Sequence, residues 1–405
     1  MTKYIVILGS LDTKGSETEF LRQRVQAEGG SPLVMDTGVL GEASITADVT
    51  RHQVAAAGGS NIAALIAGRD KTHALVTMAQ GAAKLLDEML QRGELGGVLS
   101  IGGSRGTALS TRVMQSLPLG VPKVMVSTIA SGEYTFGPYV GTKDVMMMHS
   151  VTDVQGINTL TRAIFTNAAA AVVGMSRSAR PLQTDGKRVF TASMLGVSTT
   201  LVSQVQQLME ARHSEVIGFH AIGSGGRSME ELIAGSDLVQ GVFDLTPGEI
   251  VQEIAHSSCS AGPERMLAAS RRGIPVVAST GGLDFIITGP LEGLPAEYLA
   301  RKVMQHTPTV SLVRTSIDEM RQAGRIIAER LSQSKGPAAM ILPLEAFGWF
   351  AREGQPLHDP ASDRAFMESF KQHVSARVQV VELDTHLNDP LVGETAVQLM
   401  ESMLS

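Results

Sequence analysis

Cysteine is nearly absent: Cys259 is the single one in 405 residues. One thiol excludes an internal disulfide framework and a cysteine-rich zinc site, and it favours a reducing compartment. The charge is thin as well, with a formal net of -6 and no Lys/Arg-rich block. Clustered cations are what a phosphate backbone selects, so a nucleic-acid partner is not expected. Long hydrophobic runs are missing too. The most apolar helix-compatible piece, Asn167 to Met175, is about half of the ~20 residues that span a bilayer, and it reads as a buried helix. No basic n-region with an apolar h-region opens the chain, so neither membrane association nor export is expected, and the expected location is cytoplasmic. No long polar tract interrupts a sequence that is 43% hydrophobic and 18% charged. That balance describes a globular chain, and 405 residues exceed the roughly 250–300 at which single cores stop growing, so two domains are expected.

What is present is a recurring pattern of apolar run, glycine loop and helix. Tyr4 to Leu8 breaks at Gly9 into GSLDTKG, and Gly97 to Ile101 breaks into GGSRGT. Glu215 to Ala221 empties into IGSGGRS. A strand that opens into a glycine loop and then a helix presents backbone NH groups and a helix N-terminus to an anion, here read as a nucleotide phosphate. Ser16 with Glu19 three residues later is a capping-box signal and predicts a helix over about Glu17 to Glu28, leaving Gly9 to Gly15 as the loop. Pro32 to Asp36 follows as a strand, and two helical patterns cover about Val49 to Gly68 and Lys71 to Arg92. Val121 to Val126 returns as a strand that ends in a small polar loop, Ser127 to Gly132. The triplet Met146 to Met148 reads as packing or a subunit contact rather than a cofactor box.

The polar stretch Ser176 to Lys187 reads as a linker, giving an N-terminal domain over 1–180 and a C-terminal one over 181–405. A second α/β series begins at Arg188. Strands alternating with helices predict two doubly wound, Rossmann-like lobes of the α/β class with mainly parallel sheets, and ligands at the strand C-terminal ends. No residue-level repeat relates the two series.

Gly9-Ser10-Leu11-Asp12-Thr13-Lys14-Gly15 is neither a P-loop nor GxGxxG. Its side chains still suit a phosphate: Ser10 and Thr13 supply hydroxyls, Lys14 a point charge, and Asp12 a carboxylate for magnesium or a brace for the loop. Gly102, Gly103, Ser104, Gly106 and Thr107 supply the second wall. Asp36, at a strand end, is placed to meet a ribose hydroxyl. In the second lobe His220 with Gly223, Gly225 and Gly226 completes the binding set. The residues to examine there for chemistry are Asp244, Glu264, Arg265, Asp284, His306, Arg314 and the run Asp384 to Asp389, whose Asp-x-His could ligate a metal or form an acid/base pair. Strand-end His and Asp residues more often cap helices or pair with Arg, and no Ser-His-Asp order or HExxH assigns a mechanism. Cys259 reads as a small buried hydrophobe.

The segments GSLDTKGSE, IGGSRGT, VSTIASGEY, GTKDVMMMHSVTDVQGIN, IFTNAAAAVVGM, FHAIGSGGRSMEELI, SAGPERMLAASRRGIPVV and ELDTHLNDP together resemble the Tm-one-like ATP-binding domain family, over nearly the whole chain. The resemblance implies an ATP-binding first lobe, with Mg2+ accompanying the nucleotide, a second α/β lobe and a homodimer. The antiviral role of the plant members rests on a plant-specific surface and does not carry over. Two positions depart from the family pattern: Arg105, where a small residue is expected, and Thr307, between His306 and Pro308, where Asn is expected. Two functional readings with ATP stay open, beside a third in which a small molecule such as a sugar acid or organic acid binds without nucleotide. One is an ATP-binding protein that acts as an enzyme on a small metabolite in the cleft between the lobes. The other is a regulatory or interaction protein whose dimer ATP stabilises without turnover.

Overall fold

A computed structural model describes residues 2–131, 136–180 and 182–405. Gly132, at the end of one expected polar loop, and Pro181, within the expected linker, lie outside the described residues. The chain divides into two compact units, Met1–Gln183 and Thr184–Ser405.

The first unit runs β1 (Tyr4–Gly9), α1 (Leu11–Ala27), β2 (Ser31–Asp36), α2 (Arg51–Ala57), α3 (Ile62–Ala67), α4 (Lys71–Gln91), β3 (Leu95–Gly102), α5 (Ser104–Gln115), β4 (Lys123–Ser127), α6 (Phe136–Val140), β5 (Met146–His149) and α7 (Thr159–Ser178). Its sheet has the order β2-β1-β3-β4-β5, and every neighbouring pair is parallel. β1, β3 and β4 are buried along almost their whole length because both faces of the sheet are covered. Leu86, Val113 and Met114 belong to the core on one face; Leu21, Phe165 and Val172 belong to the core on the other.

Local chemistry moves two expected boundaries. α1 begins at Leu11, not near Glu17, because the Asp36 carboxylate at the end of β2 accepts from Leu11 N at 3.1 Å and starts the helix early. The helix records the splice as non-helical backbone at Lys14, and Ser16 bonds to Glu17 rather than acting as a cap. The helical pattern over 49–68 divides at Gly58-Gly59-Ser60, and Asn61 caps α3 through Ala64 N. The Met triplet forms most of β5, a sheet-edge strand.

The second unit runs β6 (Arg188–Met194), α8 (Thr199–Glu210), β7 (Ser214–His220), α9 (Ser224–Gly235), β8 (Val239–Asp244), α10 (Glu249–Ile254), α11 (Ala268–Arg272), β9 (Val276–Ala278), β10 (Phe285–Thr288), α12 (Ala296–Leu299), β11 (Val303–Thr307), β12 (Val310–Arg314), α13 (Ile317–Ser332), β13 (Ala338–Pro343), α14 (Pro360–His373), β14 (Val378–Leu383) and α15 (Pro390–Leu404). Its main sheet, ordered β14-β13-β9-β8-β6-β7, is again wholly parallel. Numbered within its own sheet, that order is 2-1-3-4-5-6 from the β7 edge, the first unit's 2-1-3-4-5 with one strand added. Both units are therefore Rossmann-like, mainly parallel α/β lobes, and in each the strand order reverses beside its first strand. A separate antiparallel sheet, β10-β12-β11, departs from the simple alternation of parallel strands and helices that the sequence predicts for this unit.

Candidate functional site

In doubly wound sheets ligands sit outside the strand C-terminal ends where the order reverses. In the first unit that place lies between β1 and β3, and a cavity of about 590 Å³ opens there. The end of β1 supplies Gly9 and Ser10, and α1 supplies Asp12, Thr13 and Lys14; from the end of β3 and the start of α5 come Gly102, Gly103, Ser104, Arg105 and Gly106. Of the remaining wall one part is polar, with Arg69, Asp70 and Lys71, and another is aliphatic, with Val39, Leu40, Leu65, Ile66, Leu75, Met78 and Leu109. Leu40 is 69% exposed and Ile66 43%, so this wall presents apolar surface that the protein itself leaves uncovered.

The two glycine loops of this cavity are not equivalent. At α1 the protein supplies its own anion: Asp36 is 2% exposed, and its Oδ1 accepts from Leu11 N at 3.1 Å and Gly38 N at 2.8 Å. Burial raises the Asp36 carboxyl above its ordinary range, against the lowering effect of those two amides. Asp36 does not line the cavity, so it faces no ribose there. Asp12 braces the loop after β2, its Oδ2 accepting from Gly41 N at 3.0 Å. Lys14 reaches over α1 and donates to the carbonyl of Val154.

At α5 the first-turn amides keep their donors. Gly103, the N-cap, has no side chain to offer, and no side chain caps the helix. By contrast α2, α3, α4 and α7 are each capped by Thr50, Asn61, Asp70 or Asn158. The glycines divide in the same way. Gly102 is required by packing, since a Cβ there would lie 2.9 Å from the Gly106 Cα. Gly103 and Gly106 are under no such constraint: a Cβ would come no nearer than 3.7 Å and 3.5 Å to other atoms. Thr107 is buried and its hydroxyl pairs with Ser127 at 2.7 Å, which removes it from the cavity surface. Arg105 does line the cavity, and its Nη2 donates to the Lys71 carbonyl at 3.4 Å.

The third glycine loop, in the second unit, follows β7 rather than the strand at which the order reverses. Its donors are engaged from within: Gly223 N and Gly226 N donate to Glu249 Oε1 at 2.6 and 3.1 Å. Glu249 Oε2 accepts from Arg265 Nε at 2.6 Å, and the guanidinium also meets Asp244 at 2.6 and 2.7 Å and Glu230 at 3.2 Å. Arg265 is 1% exposed and Glu249 fully buried. Burial opposes the charge of Arg265, and Asp244, Glu249 and Glu230 together hold its pKa well above the ordinary arginine range. Each glycine has a packing reason: Gly223 takes φ +87°, a Cβ on Gly225 would lie 1.9 Å from the His220 carbonyl oxygen, and one on Gly226 would lie 2.0 Å from Glu249 Oε2. His220 itself is exposed.

The other second-unit candidates do not converge. Glu264 pairs with Arg271 on the surface, and His306 meets Phe350 edge-on at 6.0 Å between ring centres. Arg314 binds Asp363 and the carbonyls of Asp284 and Asp359. Asp389 caps α15, and Asn388 ties α8 to the preceding turn. Asp284 is fully buried with neither carboxylate oxygen bonded; burial pushes its carboxyl up to about 6, with Arg314 opposing and Asp363 adding. Among the described residues no group of three or more His, Cys, Asp or Glu is placed to hold a metal ion, and no helix is long and apolar enough to cross a membrane. Cys259 is half-buried and free.

Two family models tile the chain: "Uncharacterised protein family (UPF0261) N-terminal domain" over residues 3–181 and the corresponding C-terminal domain over 187–404. The chain belongs to the UPF0261 family. It is 38% identical over 406 residues to a UPF0261 protein of Clostridium tetani, covering all of this chain and 99% of that one. A Rhizobium meliloti member is 37% identical over 98% of both. The ToMV resistance protein Tm-1(GCR237) of Solanum lycopersicum is 33% identical over 82% of this chain, which spans 44% of the tomato protein. In this UPF0261 chain Arg105 is the lining residue whose importance the sequence left open. Arg69 and Lys71, which also line the cavity, carry no such signal in the sequence, because Gly68 and Asp70 beside them read as the end of one helix and the cap of the next.

Proposed function

We propose that the N-terminal unit of this UPF0261 protein binds a nucleotide, ATP in the reading that the family resemblance favours. The observation that carries it is the start of α5: first-turn amides without a side-chain cap open into a cavity at the point where the sheet order reverses. Three further features fit. The lining cations Lys14, Arg69, Lys71 and Arg105 favour an anion. The aliphatic wall suits a ligand with an apolar portion, as a base is on its faces. Gly103 and Gly106 give a phosphate close access to backbone. Of the lining carboxylates, Asp70 caps α4, while Asp12 lies beside Ser10 and Thr13 at the start of α1 and is the residue that would meet the water shell of an accompanying Mg2+. The proposal is one of binding; no residue is assigned a bond-making step.

Isothermal titration and thermal melting with ATP, with and without Mg2+, test it. Saturable binding and a rise in Tm with ATP concentration are expected, about 2.7 kcal/mol of stabilisation at a hundredfold excess over Kd. Lys14→Ala should weaken that binding. An unchanged melting curve at millimolar ATP would remove the proposal.

A further inference from the structure

We propose that the cavity discriminates its ligand by phosphate number, with Arg105 as the specificity-determining residue and Arg69 and Lys71 beside it. The inference rests on the nucleotide reading above. Arg69, Lys71 and Arg105 all line the same cavity and all are exposed. Among the described residues none of the three has a carboxylate within ion-pair distance. Elsewhere the chain matches such charges, Arg51 with Glu42 and Arg265 with Asp244, Glu249 and Glu230, whereas these three meet no acid among the described residues.

The carboxylate nearest in sequence does not neutralise them. Asp70 Oδ1 accepts from Thr72 N and His73 N at 2.9 Å, and those amides lower its pKa; its charge is directed at the start of α4. The Arg105 Nη2–Lys71 carbonyl bond brings the first turns of α5 and α4 together at the cavity. The free α5 amides and the three cations thus form two separate anion-attracting sets in one cavity. A single phosphate needs only the amides. A longer polyphosphate also reaches the cations, and arginine's planar fork suits that contact. Arg69 holds φ +49°, a left-handed backbone uncommon for a residue with a side chain, which fixes the turn that carries this charge.

The test is titration of ATP and AMP into the wild type, Arg105→Ala and Arg105→Lys. The wild type should bind ATP at least about tenfold more tightly than AMP, the ratio one charge-assisted contact supplies. Arg105→Ala should bring that ratio down several-fold with AMP affinity unchanged and a shallower salt dependence, and Arg105→Lys should recover part of it. Arg105 is exposed, so the melting temperature without nucleotide should not move. An ATP/AMP ratio near one in the wild type, or a ratio that Arg105→Ala leaves intact, overturns the inference while leaving nucleotide binding in place. If Arg105→Ala weakens AMP and ATP equally, Arg105 shapes the cavity and does not read phosphate number. Absence of binding by either nucleotide to the wild type defeats the reading on which the inference rests.

Discussion

The loop at the start of α5 and the loop at the start of α9 use the same materials, a strand end, two or three glycines and a helix N-terminus, with opposite outcomes. At α9 the chain's own Glu249 occupies the anion position, bonded to Gly223 N and Gly226 N and held by Arg265. At α5 no side chain does so, and the donors face a cavity. The difference carries through to the crevices. In the second unit the strand ends beside β6 are closed by Ser193, Asp244, Ser198 and Thr246, which bond to one another, and Leu195 and Val197 pack against Phe285 and Leu312 of the small antiparallel sheet. One topology thus yields an open crevice in one unit and a filled one in the other. A glycine loop is a receptor only where the protein has not already supplied the anion.

The comparison breaks most sharply at Glu249. Glu249→Ala leaves Arg265 short of a buried partner and orphans two amides, and should destabilise the C-terminal unit by about 3–5 kcal/mol in urea unfolding. If the loop is an anion receptor filled from within, added phosphate should recover part of that loss; no loss at all would mean the carboxylate is not the plug.

The glycines supply the next largest contrast. Gly226→Ala drives a methyl to within 2.0 Å of Glu249 Oε2, and a cost of about 1–3 kcal/mol is expected from the forced shift. Gly106→Ala meets nothing nearer than 3.5 Å and should stabilise α5 by about 0.5–1 kcal/mol. Equal costs for the two substitutions would erase the distinction between the loops.

Asp284 sharpens what a satisfied carboxylate means. Glu249 accepts three hydrogen bonds, whereas both oxygens of Asp284 are buried and unbonded. Its folded pKa, about 6, lies above the ordinary 3.8, so the folded state binds the proton more tightly. The ionised form therefore destabilises the fold: the penalty is fully present above pH 6, shrinks as pH falls through 6, and is gone below the unfolded value. Asp284→Asn should raise stability at pH 8 by about 1–2 kcal/mol and flatten the profile between pH 4 and 6. A profile identical to the wild type would show that the carboxylate finds a partner.

Much of this fold was legible because its strands are short apolar runs bounded by glycine, and helices such as Ile317–Ser332 carry their caps in sequence. The loops after β1 and β3 were legible for the same reason, and both line one cavity. What could not be read was whether a loop is occupied. Asp36 lies 25 residues from the amide it caps, and Glu249 lies 26 residues from Gly223; no local pattern joins such pairs. The early start of α1 was hidden by the same long-range contact, and the Ser16/Glu19 signal pointed to a later one. Sheet β10-β12-β11 escaped because its outer strands are short and β11 has no glycine at either end.

The measurement that tests the central claim most directly is ATP titration of Gly103→Asp. Gly103 has extended backbone, φ -81°, and room for a side chain, so the aspartate gives α5 the built-in acid that α1 and α9 already receive from Asp36 and Glu249. The account predicts saturable ATP binding by the wild type, and a variant that is at least as stable without ligand yet binds ATP more than tenfold more weakly, on the order of one lost charge-assisted contact. A stable Gly103→Asp protein with wild-type affinity for ATP, or a wild type that binds none, would contradict it.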